Sequence, residues 1–242
     1  MKDNLGDRMK DYYENRTRSF LNRRTYTLIR VDGKAFHTYT RGLERPFDQG
    51  LIEDMDATAA YLCKNIMGAK FAFVQSDEIS ILITDFDDLG TQAWFDCNLQ
   101  KMASVSASMA TRAFNEARLS RFGSLTKWAE FDSRVFQISE KDEVANYFVW
   151  RQQDTVRNSI SSVAQTLYSH KELNGKNMNV QQEMIFQKGI NWNDYPAKNK
   201  RGRMIVRELY QKEEATRSRW TSIEVPTFTV DRPFIMDRLP NL

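Results

Sequence analysis

Apolar and polar residues alternate in blocks along the chain, and these blocks predict a mixture of strands and helices. Residues 25–31, TYTLIRV, are mostly β-branched or aromatic and predict a strand that ends at Asp32-Gly33. Residues 50–67 predict a helix, for which Gly68 is a typical stop. The positions that recur at helical spacing are Leu51, Ile52, Met55, Thr58, Ala59, Leu62 and Ile66.

Beyond this helix the pattern predicts a hairpin, a long helix and one more strand. Residues 70–75 and 79–84 are typical of two strands joined across Ser76-Asp77-Glu78. The remaining predicted elements are an amphipathic helix over residues 3–22, a helix over about 89–119, a strand over 134–138 and largely helical structure over 140–170. Residues 174–242 show turn signals and a Pro-punctuated tail but no clear periodicity.

The predicted order from residue 25 to 138 is β-α-β-β-α-β, which is typical of the ferredoxin-like fold. We therefore predict an α+β protein with an antiparallel sheet. Residues 1–139 would form its core, with the N-terminal helix, and residues 140–242 a helical and β extension packed on it. In this topology the first and third strands are antiparallel neighbours. Asp32 would then lie beside Asp77 and Glu78, at one end of the sheet.

Converging carboxylates repel each other unless a cation or a proton lies between them. Mg²⁺ binds one or two carboxylates together with substrate phosphates, and paired ions can promote phosphoryl displacement. Asp32 and Asp77 suit this role, and Gly33 would let the backbone approach a metal or phosphate. Candidate phosphate-binding residues are Lys34, Ala35, Phe36 and His37, which follow directly, together with Arg45 and Lys101.

Each of these features has a structural alternative. Asp-Gly after a strand is more often only a turn, and Ser-Asp-Glu between strands is more often a solvated hairpin tip. Lys101 also suits an exposed helix position, and His37 a structural hydrogen bond. Because the predicted topology brings both acidic sites together, their combination favours a metal site.

Composition limits the class of protein. Of the 242 residues, 41% are hydrophobic and 28% charged, and no apolar run approaches the length of a membrane span. The charged N-terminus does not resemble a signal peptide. Cys63 and Cys97 form no C-x-x-C pair, which favours reduced thiols in a cytoplasmic protein over a zinc site.

The formal net charge is +3, but Lys and Arg cluster in residues 1–24 and 196–220. Most charge runs are only solvated faces, although such clusters also suit binding of a polyanion. The second cluster includes Lys198, Lys200, Arg201 and Arg203.

Four motifs follow one another along the chain. They are Arg30–His37 (RVDGKAFH), Gln75–Glu78 (QSDE), Phe131–Val135 (FDSRV) and Trp150–Asp154 (WRQQD). In composition and order they resemble the tRNA(His) guanylyltransferase superfamily, and most closely its bacterial and archaeal "like" branch. The resemblance extends from about residue 5 to 160 and, more weakly, to about residue 210.

The resemblance implies a core similar to the palm of DNA and RNA polymerases, and nucleotide addition in the 3′-to-5′ direction at the 5′ end of tRNA. It implies two Mg²⁺ ions on Asp32, Asp77 and the Gly33 carbonyl, with Glu78 as a nearby catalytic acid. It also implies that segments matching 32–37 and Ser76-Asp77 bind ATP or GTP, that Lys101 is functionally important, and that the protein is a homotetramer. At Arg45 family members often have lysine, so the charge is kept and the donor geometry changes.

After WRQQD the chain departs from the eukaryotic guanylyltransferases, which continue with HINNLYN. Residues 156–162 read VRNSISS and keep only Asn158. The "like" branch also lacks that signature, and its members are associated with template-dependent repair of 5′-truncated tRNA. We therefore predict this activity, by ATP- or GTP-dependent activation of the 5′ end and two-metal nucleotidyl transfer. For this activity our candidate RNA contacts are Arg157, Asn158, Lys198, Lys200, Arg201 and Arg203. The alternatives are single-G addition to tRNA(His), a palm-fold nucleotidyl cyclase and a non-catalytic RNA-binding protein.

Overall fold

An antiparallel sheet of six strands, in the order β4-β1-β3-β2-β5-β6, forms the centre of the molecule. The computed structural model describes residues 4–213 and 215–241. The strands are β1 Tyr26–Gly33, β2 Ala69–Gln75, β3 Glu78–Ile83, β4 Phe131–Ile138, β5 Arg203–Lys212 and β6 Ala215–Glu224. The helices are α1 Leu5–Tyr12, α2 Phe36–Tyr39, α3 Gln49–Asn65, α4 Leu99–Phe122, α5 Lys141–Leu167, α6 His170–Leu173, α7 Met178–Gln187, α8 Ala197–Arg201 and α9 Arg232–Met236.

The strand order β4-β1-β3-β2 confirms the predicted α+β class and ferredoxin-like topology. β1 alternates between two apolar cores, because successive side chains of a strand point to opposite faces. Leu28 packs in the core beneath α5, with Phe148, whereas Ile29 packs in the core beneath α3 and α4, with Phe114. The helix layers on both faces thereby fix the end of β1 that carries Asp32.

Two helix boundaries differ from the prediction. The predicted helix over residues 3–22 ends at Tyr12 and is followed by a 3-10 turn at Glu14–Thr17, while residue 3 lies outside the described residues. The long helix begins at Leu99, about ten residues after the predicted start. Its N-cap is Asn98, which accepts a hydrogen bond from Lys101 N, and Phe95 just before it has a positive φ of 51°.

The C-terminal region contains β structure, as predicted, but the sequence did not locate its two strands, β5 and β6. β5 pairs with β2 from Phe71↔Val206 to Val74↔Arg203, so the sheet crosses the predicted boundary at residue 139. Gly202 precedes β5 with φ +79°, and a Cβ there would lie 2.6 Å from the Phe73 ring. This position therefore requires glycine for β5 to approach β2.

Helices α3 and α4 are joined by a buried ion cluster. Asp54, 2% exposed, lies 3.0 Å from Arg118 Nη1 and 2.9 Å from Arg121 Nη2. This carboxylate is neutralised within the core, so its role is structural. None of the described helices combines the length and apolar character that crossing a bilayer requires.

Candidate active site

Two aspartates meet at the end of β1, as the predicted topology requires. Asp32 is opposite Glu78 of β3 in the strand register, and the Gly33 N–H donates to Asp77 O at 3.1 Å. Asp32 and Asp77 line one cavity of about 480 Å³, which we call the acidic cavity. Its remaining lining residues are Arg30, Gln75, Ser76, Glu78, Trp150, Arg151, Asp154, Arg157 and Asn158.

The surroundings of Asp32 and Asp77 disfavour ionisation of both carboxyl groups at once. The pKa of Asp77 is raised to about 6, mainly by burial. A hydrogen bond from Ser76 opposes this rise, and the charges of Asp32 and Glu78 contribute to it. Burial and then the Glu78 charge also raise the pKa of Asp32, although Arg30 Nη2, 3.8 Å from Asp32 Oδ2, opposes this. A bound cation would relieve the repulsion.

The donor chemistry fits Mg²⁺ that is shared with a substrate phosphate. Among residues 4–213 and 215–241, no cluster of three or more His, Cys, Asp or Glu side chains could hold a metal by itself. Mg²⁺ in nucleotide sites commonly uses one or two carboxylates and completes its shell with water and phosphate oxygens. Asp32 and Asp77 match that incomplete set. Gly33 is required for local packing, because a Cβ there would lie 2.2 Å from the Phe36 ring.

Glu78, predicted as a catalytic acid, is bound by an arginine instead. Its two carboxylate oxygens accept hydrogen bonds from Arg151 Nε at 2.8 Å and Nη2 at 2.9 Å, and it is 7% exposed. Arg151 also donates to Asp154 Oδ2 at 2.7 Å. This bidentate pair ties α5 to the sheet and favours a positioning role for Glu78 over contact with reacting atoms.

The segment after Gly33 is only partly available for phosphates. Lys34 donates its backbone N–H to Glu130 O, and its Nζ lies 2.5 Å from Glu130 Oε2. Ala35 is in the left-handed conformation, and Phe36 is buried against Phe114 and Phe131. His37 is exposed and lines a second cavity.

This second cavity, of about 240 Å³, also contains Arg45 and Ser76. A third, of about 130 Å³, is lined by Ser76, Asn158, Phe47 and Leu51 among others. Ser76 lines all three cavities, so they adjoin one another and form a series beside α5. We call this series the groove. The acidic cavity at one end of the groove has the volume of a small-molecule site.

The other predicted residues divide into two groups. Arg157 and Asn158 line the acidic cavity, and Lys198 borders the third cavity, where it donates to Gln49 Oε1. By contrast Lys200 is 6% exposed and donates to Asn193 O, and Arg203 is 4% exposed and pairs with Asp56 at 2.6 Å. Burial opposes the prediction that Lys200 and Arg203 contact RNA.

The last two predicted basic residues, Arg201 and Lys101, do not line the acidic cavity. Arg201 is half-buried at the end of α8. Lys101 lies in the first turn of α4, 5.9 Å from the Phe95 ring centroid. Leu99 N, nearby, donates to Ser19 O, upstream of the start of β1. Lys101 is not among the residues that line the acidic cavity.

Sequence reasoning assigned no role to several residues of the acidic cavity, among them Trp150, Asp154 and Arg30. Trp150 and Asp154 stood in the quoted WRQQD motif, and their i, i+4 spacing on a helix places them on one face. Arg30 is two residues before Asp32 on β1, so both side chains point to the same face of the sheet. These spacings are the signals that could have identified them.

Comparison with known proteins places the chain in a family. The family model described as "Thg1: tRNAHis guanylyltransferase" matches residues 6–139. A solved bacterial tRNA(His) guanylyltransferase (Thg1)-like protein in complex with ATP is 48% identical, with a TM-score of 0.88, and covers 98% of this chain and 99% of that one. A GTP complex of such a protein gives 47% identity and a TM-score of 0.82 over the same shares.

Among curated relatives, the tRNA(His) guanylyltransferase of Saccharomyces cerevisiae is 28% identical over 205 residues, which is 76% of this chain and 83% of the yeast protein. Fold and relatives together define a nucleotidyltransferase with a mixed α+β core. The chain belongs to the tRNA(His) guanylyltransferase family.

Proposed function

We propose that the protein adds nucleotides to the 5′ end of tRNA in the 3′-to-5′ direction, directed by the opposite strand, and so repairs 5′-truncated tRNA. The observation that carries this proposal is the acidic cavity, in which Asp32 and Asp77 face a groove with Arg157 at its side. The ATP and GTP complexes of the bacterial relatives support nucleoside triphosphates as substrates.

The chemistry has two transfers. A 5′-monophosphate is a poor acceptor, so ATP first adenylylates it and releases pyrophosphate. The 3′-hydroxyl of an incoming GTP or other templated nucleotide then attacks the activated 5′ phosphorus, and AMP departs. GTP can replace ATP as the activating nucleotide, in which case GMP departs, and a 5′-triphosphate end needs no activation.

Asp32 and Asp77 would hold two Mg²⁺ ions, which supply an activated hydroxyl and charge stabilisation at the leaving group. The chain's own cations complete the site. Arg157 is 65% exposed at the acidic cavity and can contact an RNA phosphate, while Arg45 can contact the triphosphate from the second cavity. Neither side chain is buried, so each can move with the phosphate that it contacts, when pyrophosphate leaves in the first transfer and when AMP leaves in the second.

The third cavity suits the base of the activating nucleotide. It has apolar walls from Phe47 and Leu51 on one side and polar groups from Asn158 and Ser162 on the other. A planar base needs both kinds of surface, since its faces are apolar and its edges carry hydrogen-bonding groups. Ser76, at the junction with the acidic cavity, would then lie near the phosphates.

Template dependence is favoured over untemplated addition by the residues after WRQQD. Residues 156–162, VRNSISS, form part of α5 beside the groove and keep only Asn158 of the eukaryotic signature. Single-G addition to tRNA(His) is the second candidate, because the curated relatives carry that name. A cytoplasmic location and a homotetramer remain expectations that accompany the proposal.

The test uses 3′-labelled tRNA that lacks its first nucleotide, incubated with ATP, all four NTPs and Mg²⁺. We expect growth at the 5′ end, with the added nucleotide changing when the opposing base is changed. Asp77→Ala is the matched inactive control. Addition of G whatever the opposing base would favour the second candidate. Unchanged RNA together with a cyclic product from GTP alone would contradict both.

A further inference from the structure

Trp150 is an exposed aromatic residue on the wall of the acidic cavity. It lies on α5 and is 51% exposed, although burial of a tryptophan is strongly favoured. Tryptophan is enriched at interfaces, so an exposed ring that lines a cavity is a candidate contact for a ligand.

Two neighbouring side chains contact the indole ring. The Arg151 guanidinium carbon lies 4.3 Å from the ring centroid, and the Tyr147 ring contacts it at 5.9 Å with an interplanar angle of 66°. Arg151 is itself fixed by its bonds to Glu78 and Asp154. The described residues add no further aromatic or cationic contact to this ring, so it is a rigid platform with a free surface.

Position along α5 separates this platform from the nucleotide end of the groove. Trp150 lines the acidic cavity alone, whereas Asn158 also lines the third cavity, and Ser162 lines only the second and third. Eight residues of helix rise about 12 Å. If a nucleotide occupies the Asn158–Ser162 end, the RNA end must approach from the Trp150 end, with the reacting phosphate between them.

We propose that Trp150 stacks on the terminal base at the 5′ end of the RNA and so positions the acceptor phosphate over Asp32 and Asp77. Stacking on an aromatic ring is tolerant of base identity, because every base has a π face. This property suits an enzyme that must accept whichever nucleotide ends the truncated strand. The inference rests on the proposed function and names the acceptor subsite of the same groove.

The test is a two-by-two comparison of Kd in the absence of nucleotides. Wild-type and Trp150→Ala proteins are titrated with truncated tRNA and with the same RNA made abasic at its 5′-terminal position. We expect Trp150→Ala to weaken binding of intact RNA roughly 5- to 100-fold, the range of one stacking contact. The abasic RNA should lose as much with wild type and nothing more with the variant.

Controls separate stacking from a structural role. Trp150→Phe keeps a ring and should bind intact RNA within about threefold of wild type. Trp128→Ala is the matched control, since Trp128 is 67% exposed and lies outside the groove, and it should change neither Kd. Equal losses for Trp150→Ala on both RNAs, or no loss on either, would overturn the inference. Failure of wild type to extend any RNA would instead overturn the proposed function.

Discussion

The α3–α4 contact and the end of β1 both withdraw carboxylates from bulk water, but they treat the charge differently. Asp54 is bound by Arg118 and Arg121, so its negative charge is offset inside the protein. Asp77 lies beside two other acids, and the pKa of its carboxyl rises to about 6. The first arrangement stabilises the fold, whereas the second leaves charge to be offset by something that binds.

The sharpest test of this contrast is Asp77→Asn. We expect nucleotide addition to fall at least about 1,000-fold, because a neutral amide is a poor Mg²⁺ ligand. The folded Asp77 pKa is above its unfolded value, so the stability that this group contributes at low pH is lost as pH rises through about 6.

The same variant should therefore be more stable than wild type without metal, by about 1–2 kcal/mol at pH 7.5, and equal to it near pH 4. Thermal unfolding in chelator at the two pH values measures this. A variant that is less stable than wild type at pH 7.5 would mean that the Asp77 charge is already compensated by the protein.

Asp54→Asn should give the opposite result. Removing the Asp54 charge leaves Arg118, 4% exposed, without its ion-pair partner in the core, which costs about 3–5 kcal/mol, whereas the exposed Arg121 keeps its pair with Glu53. Denaturant unfolding measures the loss, and the activity per folded molecule should remain near wild type. A large loss of activity in the folded fraction would show that the α3–α4 contact also shapes the groove.

Arg151→Lys tests a residue that shares features of both regions, since Arg151 pairs with the buried Glu78 and also lines the acidic cavity. Lysine keeps the charge but cannot donate two parallel hydrogen bonds to Glu78, so we expect a loss of stability of about 1–3 kcal/mol. Released Glu78 would add to the repulsion at Asp32 and lower activity. Arg151→Met should lose more stability and more activity than Arg151→Lys. Equal losses for the two variants would indicate that only side-chain volume matters.

Arg157→Gln should have the smallest effect. It removes one exposed cation from the acidic cavity, so RNA affinity should fall a few-fold and the slope of log K against log salt should decrease by about 0.7–0.9. Binding titrations at several salt concentrations measure the slope. Lys171→Gln, an exposed change on α6 outside the groove, should leave it unchanged.

The sequence predicted the features that local pattern and topology determine. The apolar strands around Val31 and Val74, each followed by an acidic turn, predict the order of the sheet. That order brings Asp32 next to Asp77. The start of α4 at Leu99 could also have been predicted from the sequence, because Asn98 is a strong N-cap residue.

Other features depend on partners far away in the chain. Arg151 and Glu78 are 73 residues apart, and nothing in either local pattern indicates that they pair. Arg203 resembles a solvated cation until Asp56, 147 residues away, is placed beside it. The outer part of the β5–β6 hairpin escaped prediction because it lies away from both apolar cores. Leu209 is 67% exposed and β6 is mostly exposed, so burial imposes no strict alternation of apolar and polar residues there.

Pairing of β5 with β2 has a consequence for shortened forms of the protein. β2 reads AKFAFVQ, and its last five residues are buried. Without β5, the backbone N–H and C=O groups from Phe71 to Val74 would form an open, flat, apolar border of the sheet, which is a template for intermolecular strand addition and aggregation. A fragment that ends at residue 139 would keep both aspartates, yet we expect it to aggregate. The C-terminal strands therefore cover an edge of the sheet that would otherwise pair with other molecules.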